Sequence, residues 1–267
     1  MDISASWSNV WSEDTYYLID HEMLETRVRL LYGINRKFQV GGELEYRSYF
    51  GGVMDGFIDG FHELFGLTQA EKENYPSNST HFILRDENLN DIRNTGENGD
   101  WDHMSLSVYG TWLLVAGDRQ IPAVGLIAQI RQGIDTPFDD SNALDAGIGI
   151  GLSKRWADQW YSYHNLSFSW FGETELRELE FKKNTIGFMN ALEWRIIPTI
   201  SLLLQYRLDS AAVEGYTSLN QTTHEFDLGA KWRIGSGGAL EFAIVENFIN
   251  YDRGADVAFH LGYHGTF

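Results

Sequence analysis

Apolar and polar residues alternate with a period of two along most of the chain, in segments of about ten residues parted by turn signals, the pattern of strands with two unlike faces. In Ala255 to Phe267, the residues Val257, Phe259, Leu261, Tyr263 and Phe267 fall on one face, and Asp256, His260, His264 and Thr266 on the other. In Thr222 to Ile234, Phe226, Leu228 and Trp232 lie opposite Glu225, Asp227, Lys231 and Arg233. Leu24 to Tyr32 sets Leu24, Val28 and Leu30 against Glu25, Arg27 and Arg29, and Phe38 to Tyr46 sets Val40, Leu44 and Tyr46 against Gln39, Glu43 and Glu45. Weaker alternation covers Met104 to Leu114, Ile121 to Arg131, Leu144 to Arg155, Tyr161 to Phe171, Thr185 to Ile196, Ile200 to Asp209 and Leu240 to Asn250. With Ile3 to Trp11 this predicts an all-β chain of about twelve strands, an even number as in bacterial transmembrane barrels.

The connections alternate in length. Short turns are predicted at Gly33 to Arg36, Gly117 to Arg119, Ala157 to Gln159, Ile197 to Thr199 and Gly235 to Gly237. Longer acidic loops are predicted near Ser12 to Ile19, Phe50 to Asp100, Gly133 to Asn142, Gly172 to Lys182, Ala211 to Gln221 and Tyr251 to Gly254. Outer-membrane barrels have short periplasmic turns and longer extracellular loops. On that rule both termini are periplasmic, and residues 51 to 100 form a long extracellular loop of a single barrel domain spanning 1 to 267.

A soluble β-sandwich or lipocalin-like barrel also alternates, with its apolar face inward. Two features favour the inverse arrangement of a transmembrane antiparallel up-and-down β-barrel. Trp112, Trp156, Trp160, Trp170, Trp194, Trp232 and Tyr32 sit near strand ends, as interfacial girdles do. The polar faces carry both signs at neighbouring positions, as a packed lumen needs for pairing. Composition agrees. The 267 residues hold 20 Lys and Arg against 38 Asp and Glu, a formal charge of −18 that excludes a nucleic-acid binder. With no cysteine, disulfides, thiolate metal sites and thiol nucleophiles are excluded together. No apolar run reaches the roughly 18 to 20 residues of a spanning helix. The chain opens Met1-Asp2-Ile3 without a basic n-region or apolar h-region, so it is either cytosolic or has had an export signal removed, and an outer-membrane location requires the second.

Two stretches carry a family likeness. The run Tyr32-Gly33-Ile34 through Gly41-Gly42-Glu43-Leu44 into Gly51-Gly52-Val53-Met54-Asp55-Gly56-Phe57-Ile58-Asp59-Gly60-Phe61-His62-Glu63-Leu64-Phe65-Gly66-Leu67 resembles the hallmark of the DUF3187 family. Leu240 to Phe267, with Val245-Glu246-Asn247 and Asp256-Val257-Ala258-Phe259-His260-Leu261-Gly262, resembles the same family's ending. The resemblance implies a location in the outer membrane of a Gram-negative bacterium and carries no activity, substrate or catalytic residue. The closing strand that ends at Phe267 resembles the signal by which barrel-insertion machinery recognises its clients. The remaining partners implied are the lipid bilayer, lipopolysaccharide and a small solute.

Met54 to Leu67 shows the only helical period: Phe57, Phe61, Leu64 and Phe65 share a face, away from Asp55, Asp59 and Glu63. This short amphipathic helix is a cap over the mouth, an interfacial element, or a gate whose apolar face enters the lumen. The lumen candidates are the polar-face charges. On the early strands they are Glu25, Arg27, Arg29, Glu43, Glu45 and Arg47, then Arg131 and Asp145; on the later strands they are Glu193, Arg195, Arg207, Asp209, Glu225, Asp227, Lys231, Arg233 and Asp256. His260 and His264 share that face about 13 Å apart, too far for one ion. Such a lining suits a narrow selective channel or solute-binding barrel, and equally a sealed structural barrel.

Weaker constellations remain. Asp86, Asn88, Asn90, Asn94 and Glu97 fit ligand positions of a calcium loop, but Asp91 replaces its turn glycine. Asp135, Asp139, Asp140, Glu173, Glu175 and Glu178 form an acidic rim that could hold divalent cations loosely near lipopolysaccharide. No cofactor is implied. Ser162 and His164 share the lipid-facing side of one strand, and a symmetric loop would set Asn190 opposite His164. The trio is similar to that of outer-membrane phospholipase A, another twelve-strand barrel, with the His-then-Ser order reversed, and offers a lipid-modifying hydrolase as a further alternative. No phosphate loop or G-x-S-x-G is present.

Overall fold

The computed structural model describes residues 1–54, 56, 60, 78–94, 101–135, 143–176, 179–214, 219–247, 249 and 257–266. Its strands are β1 (Asp2–Asp14), β2 (Tyr17–Gly33), β3 (Phe38–Phe50), β4 (His81–Arg85), β5 (Asp91–Asn94), β6 (Trp101–Val115), β7 (Ala123–Asp135) and β8 (Leu144–Arg155). There follow β9 (Trp160–Trp170), β10 (Glu175–Leu176), β11 (Leu179–Glu180), β12 (Asn184–Ile197), β13 (Ile200–Asp209), β14 (Thr223–Ile234), β15 (Gly238–Glu246) and β16 (Val257–Gly265).

Twelve of them form a ring in the order β1, β16, β15, β14, β13, β12, β9, β8, β7, β6, β3, β2, closed by antiparallel pairing of β1 with β2. Closure leaves none of these twelve strands at an open edge, the condition for a sheet to stand in hydrocarbon. The period of two then decides the faces. Leu30, Val108, Ile148, Leu204, Leu228 and Leu261 are exposed on the outer wall, whereas Glu25, Glu43, Glu45, Glu193 and Glu225 are buried inside. A continuous apolar outer wall of this kind is stable only against lipid. Tyr32, Trp112, Trp156, Trp160, Trp194 and Trp232 ring the short-turn rim, with Trp160 stacked on Trp194 at 5.5 Å. The termini meet at the same rim, where the Met1 ammonium donates to the Gly265 carbonyl.

Two predicted loops differ from expectation. Ser12 to Ile19 is not an open acidic loop: β1 and β2 stay paired to Asp14 opposite Tyr17 and turn in two residues. Tyr17 and Leu18 are buried there, so side-chain packing keeps the hairpin zipped beyond the point where the acidic residues suggested a loop. Within 51 to 100, β4 pairs with the Tyr17–Asp20 end of β2 and β5 with β4, a hairpin that continues the lane of β3.

The chain leaves β3 over the outside of the wall. Glu22, fully buried on the outward-facing side of β2, accepts hydrogen bonds from Trp7 Nε1 (2.7 Å) and from the Met54 backbone N–H. Met54 packs on Val257, Trp7, Ile244 and Phe259, all on that outer side. Gly52 lies between, at φ +67°, where a Cβ would overlap the Glu22 carboxylate. Gly52→Ala therefore strains the backbone and displaces a buried acid, and is expected to lower stability by about 1–3 kcal/mol, read as a fall in the urea midpoint of the detergent-folded barrel. The helix with Phe57, Phe61, Leu64 and Phe65 lies outside the described residues, as do Phe267, Asp256 and Glu97.

Candidate functional site

Alternation on β2 and β3 and their register put Glu25 opposite Arg47, Arg27 opposite Glu45 and Arg29 opposite Glu43 on the inner face. Opposite charges at opposed and diagonal positions attract directly. The result is a checkerboard: Arg27 reaches both Glu25 and Glu45 at 2.9 Å, and Arg47 reaches Glu25 at 2.8 Å and Glu45 at 3.0 Å. Arg29 bonds Glu43 and lies over the ring of Tyr109, which itself presses on Gly41, where a Cβ would collide with it. A larger residue at position 41 would have to push Tyr109 further into the lumen.

The facing wall is built the same way. Arg207 joins Glu225 and Asp209, Gln205 donates to Asp227, and Lys231 stands 3.7 Å from Glu241. His264 bridges Glu241 (3.3 Å) and Asp2 (3.1 Å), while His260 bonds Ser6. Arg131 pairs with Asp145 at 2.9 Å, and Glu193 accepts from Tyr163 at 2.8 Å. Glu241, Asp2, Ser6 and Tyr163 belong to this lining but escaped the sequence reading, because β15 alternates weakly and uncharged partners leave no charge pattern.

Arg195 and Arg233 are placed differently. The Arg195 guanidinium rests 4.7 Å from the centre of the Tyr161 ring, and Arg233 has no side-chain ion pair among the described residues. Both line a cavity of about 530 Å³ at the short-turn end, shared with Lys231, Glu193, Asp2 and His264.

At the opposite, long-loop end the described residues include an apolar cluster. Tyr17 and Leu84 are buried against Ile19, Phe82, Phe181 and Leu219. Phe181 and Leu219 come from the loops after β9 and β13, and β12, between those loops, stands six places from β2 in the ring of twelve. The two loops are zipped together by Lys182 N–H to Ala212 O and Glu214 N–H to Glu180 O, and by Lys182 Nζ to Asn220 Oδ1 at 2.7 Å. They form one flap that reaches the far wall. No sequence period marks such a contact, since its members sit in turns and short strands.

A family model described as a protein of unknown function, DUF3187, matches residues 1–267. The chain belongs to the DUF3187 family. No curated protein matches it by sequence. Among solved structures, the fold of this DUF3187 chain is similar to the COG4313 outer membrane channel from Pseudomonas putida F1, at 9% identity and TM-score 0.64, covering 100% of this chain and 94% of that one. It is also similar to the NanC porin, at 9% identity and TM-score 0.56 with 100% and 99% covered. The transport unit of the autotransporter AIDA-I from Escherichia coli matches at 13% identity and TM-score 0.56, with 100% and 89% covered. The twelve-strand barrel of this DUF3187 member is thus the fold of outer-membrane channels.

The other candidates of the DUF3187 chain fall elsewhere. Asp86 accepts from the backbone N–H groups of Asn88 and Asn90 and from Asn90 Nδ2, all within 2.9 Å, so its carboxylate closes the β4–β5 turn. Those donors hold the Asp86 carboxyl below the ordinary aspartate range, and Asn94 turns to Asp91. Ser162, His164 and Asn190 are brought together on the outer wall, with His164 opposite Asn190 across β9 and β12.

Proposed function

We propose that this DUF3187 protein is a narrow outer-membrane channel for small anionic solutes, its short-turn rim periplasmic and its long-loop rim extracellular. The observation that carries the reading is the contrast among lumen cations. Arg27, Arg29, Arg47, Arg131 and Arg207 all meet carboxylates, whereas Arg195 and Arg233 face an open cavity beside Lys231. Paired charges narrow the pore and cancel one another, and the cations left over attract an anion and set selectivity. The likeness to outer-membrane channels supports passage through the lumen, and the apolar flap supports a closed resting state at the outer mouth.

The test is ion selectivity in planar bilayers under a salt gradient. The unaltered barrel is expected to prefer chloride over potassium, and Arg195→Glu with Arg233→Glu to reverse the sign of the reversal potential. Unchanged selectivity in the double variant would remove the anion assignment, and a barrel silent under every condition would leave a sealed structural role.

A further inference from the structure

We propose that Ser162, His164 and Asn190 form a serine-nucleophile site on the outer wall that cleaves the carboxylic ester of a membrane glycerolipid. The reading is independent of the lumen.

The three side chains form one directed relay. Trp156 Nε1, which can only donate, gives a hydrogen bond to Ser162 Oγ at 2.9 Å. The serine hydroxyl then donates to His164 Nε2 at 3.2 Å, which leaves the proton of the imidazole on Nδ1, bonded to Asn190 Oδ1 at 2.5 Å. This is the tautomer in which Nε2 is the base and the amide fixes the ring. A hydroxyl, an imidazole and an amide satisfied in this order on a lipid-facing wall need no charge in the resting state.

Position supplies the second observation. Ser162 lies two residues from Trp160 in the aromatic girdle, about 7 Å along the strand, near the level of the ester groups of a bilayer. Lys154 is in register with Ser162 and its ammonium is held at the rim by the Arg119 carbonyl, which leaves a cation at the height of lipid headgroups. On the bilayer side, a groove of about 690 Å³ is floored by Gly110 and Ala128 and walled by Ile150, Leu166, Phe168 and Ile186. Leu166, which lines the groove, is next after His164 on the same face of β9, so the groove adjoins the triad at its histidine.

The chemistry balances without a cofactor. Ser162 Oγ attacks the acyl carbonyl as its proton passes to His164 Nε2. The Trp156 N–H, bonded to Oγ, stabilises the serine oxygen as it gives up its proton. The bond to the glycerol oxygen breaks, and the leaving alkoxide takes the proton from Nε2. Water, deprotonated by the same nitrogen, then releases the fatty acid and restores the serine. Asn190 is a positioning residue.

The experiment treats the folded full-length protein, in mixed micelles of phosphatidylethanolamine, with an alkyl fluorophosphonate and measures both labelling and fatty-acid release. Labelling with release is expected, with both lost by at least about a hundredfold in Ser162→Ala and in His164→Gln, while gel mobility and lumen conductance stay unchanged. Asn190→Ala should lower the rate and shift its pH profile, and Asn190→Asp should restore it. Unlabelled native protein that releases no fatty acid overturns the proposal, as does release that survives in Ser162→Ala.

Discussion

Replacing Phe181 and Leu219 together by serine is expected to raise the open probability of the barrel at least tenfold in planar-bilayer recordings. Both side chains cross from the far wall to pack on Tyr17 and Leu84. Burying an apolar side chain of this size is worth about 1.5–3 kcal/mol, less for the partial burial of these two. Removing both contacts still exceeds the roughly 1.4 kcal/mol that corresponds to a factor of ten. Serine also wets the gap, which lifts any barrier due to dewetting. The same double change should lower the unfolding free energy by no more than the lost flap contacts, because the pairing of the twelve strands is untouched. An open probability equal to that of the unaltered protein would show that the flap does not limit conduction. The backbone of Gly51 to Met54 runs over the outer wall, so this cluster, with its known contacts, is the first place to seek a gate.

Glu45→Gln should be the most destabilising single change in the lumen. Its side chain is 6% exposed and serves Arg27 and Arg47 at once. Breaking a buried pair leaves uncompensated charge and costs about 3–5 kcal/mol. Arg27 is more than a third exposed, so solvent screens part of this, and about 1–3 kcal/mol is expected. Urea unfolding followed by gel mobility measures it. Because the four charges share partners, Glu45→Gln combined with Arg27→Gln should cost clearly less than the two single losses added. Strict additivity would mean that the checkerboard is solvated and contributes little.

Some of this was written in the chain's own periodicity. Leu24 to Tyr32 and Phe38 to Tyr46 alternate so regularly that face, strand and cross-strand charge pairing could all be read from them, and Glu25, Arg27, Glu45 and Arg47 meet as that alternation requires. The weak strand at Leu240 hid Glu241, and the paired end of β1 and β2 read as loop because burial of Tyr17 and Leu18 outweighs the local polarity. Ser162 and His164 could be placed on one face two residues apart, but their bond to Asn190 depends on the register between β9 and β12, and a slip of one residue would turn Asn190 inward.

The sequence by itself determined two unlike faces on its strands, because a period of two is a local property that assigns every side chain to a face, and its strand-end aromatics and mixed-sign polar faces pointed the apolar face outward. Tertiary structure alone decided which charges cancel and which stay open at Arg195 and Arg233, and which loops meet across the mouth at Tyr17, Phe181 and Leu219. Those outcomes depend on ring closure and on contacts between residues far apart in the chain, and no local pattern encodes either.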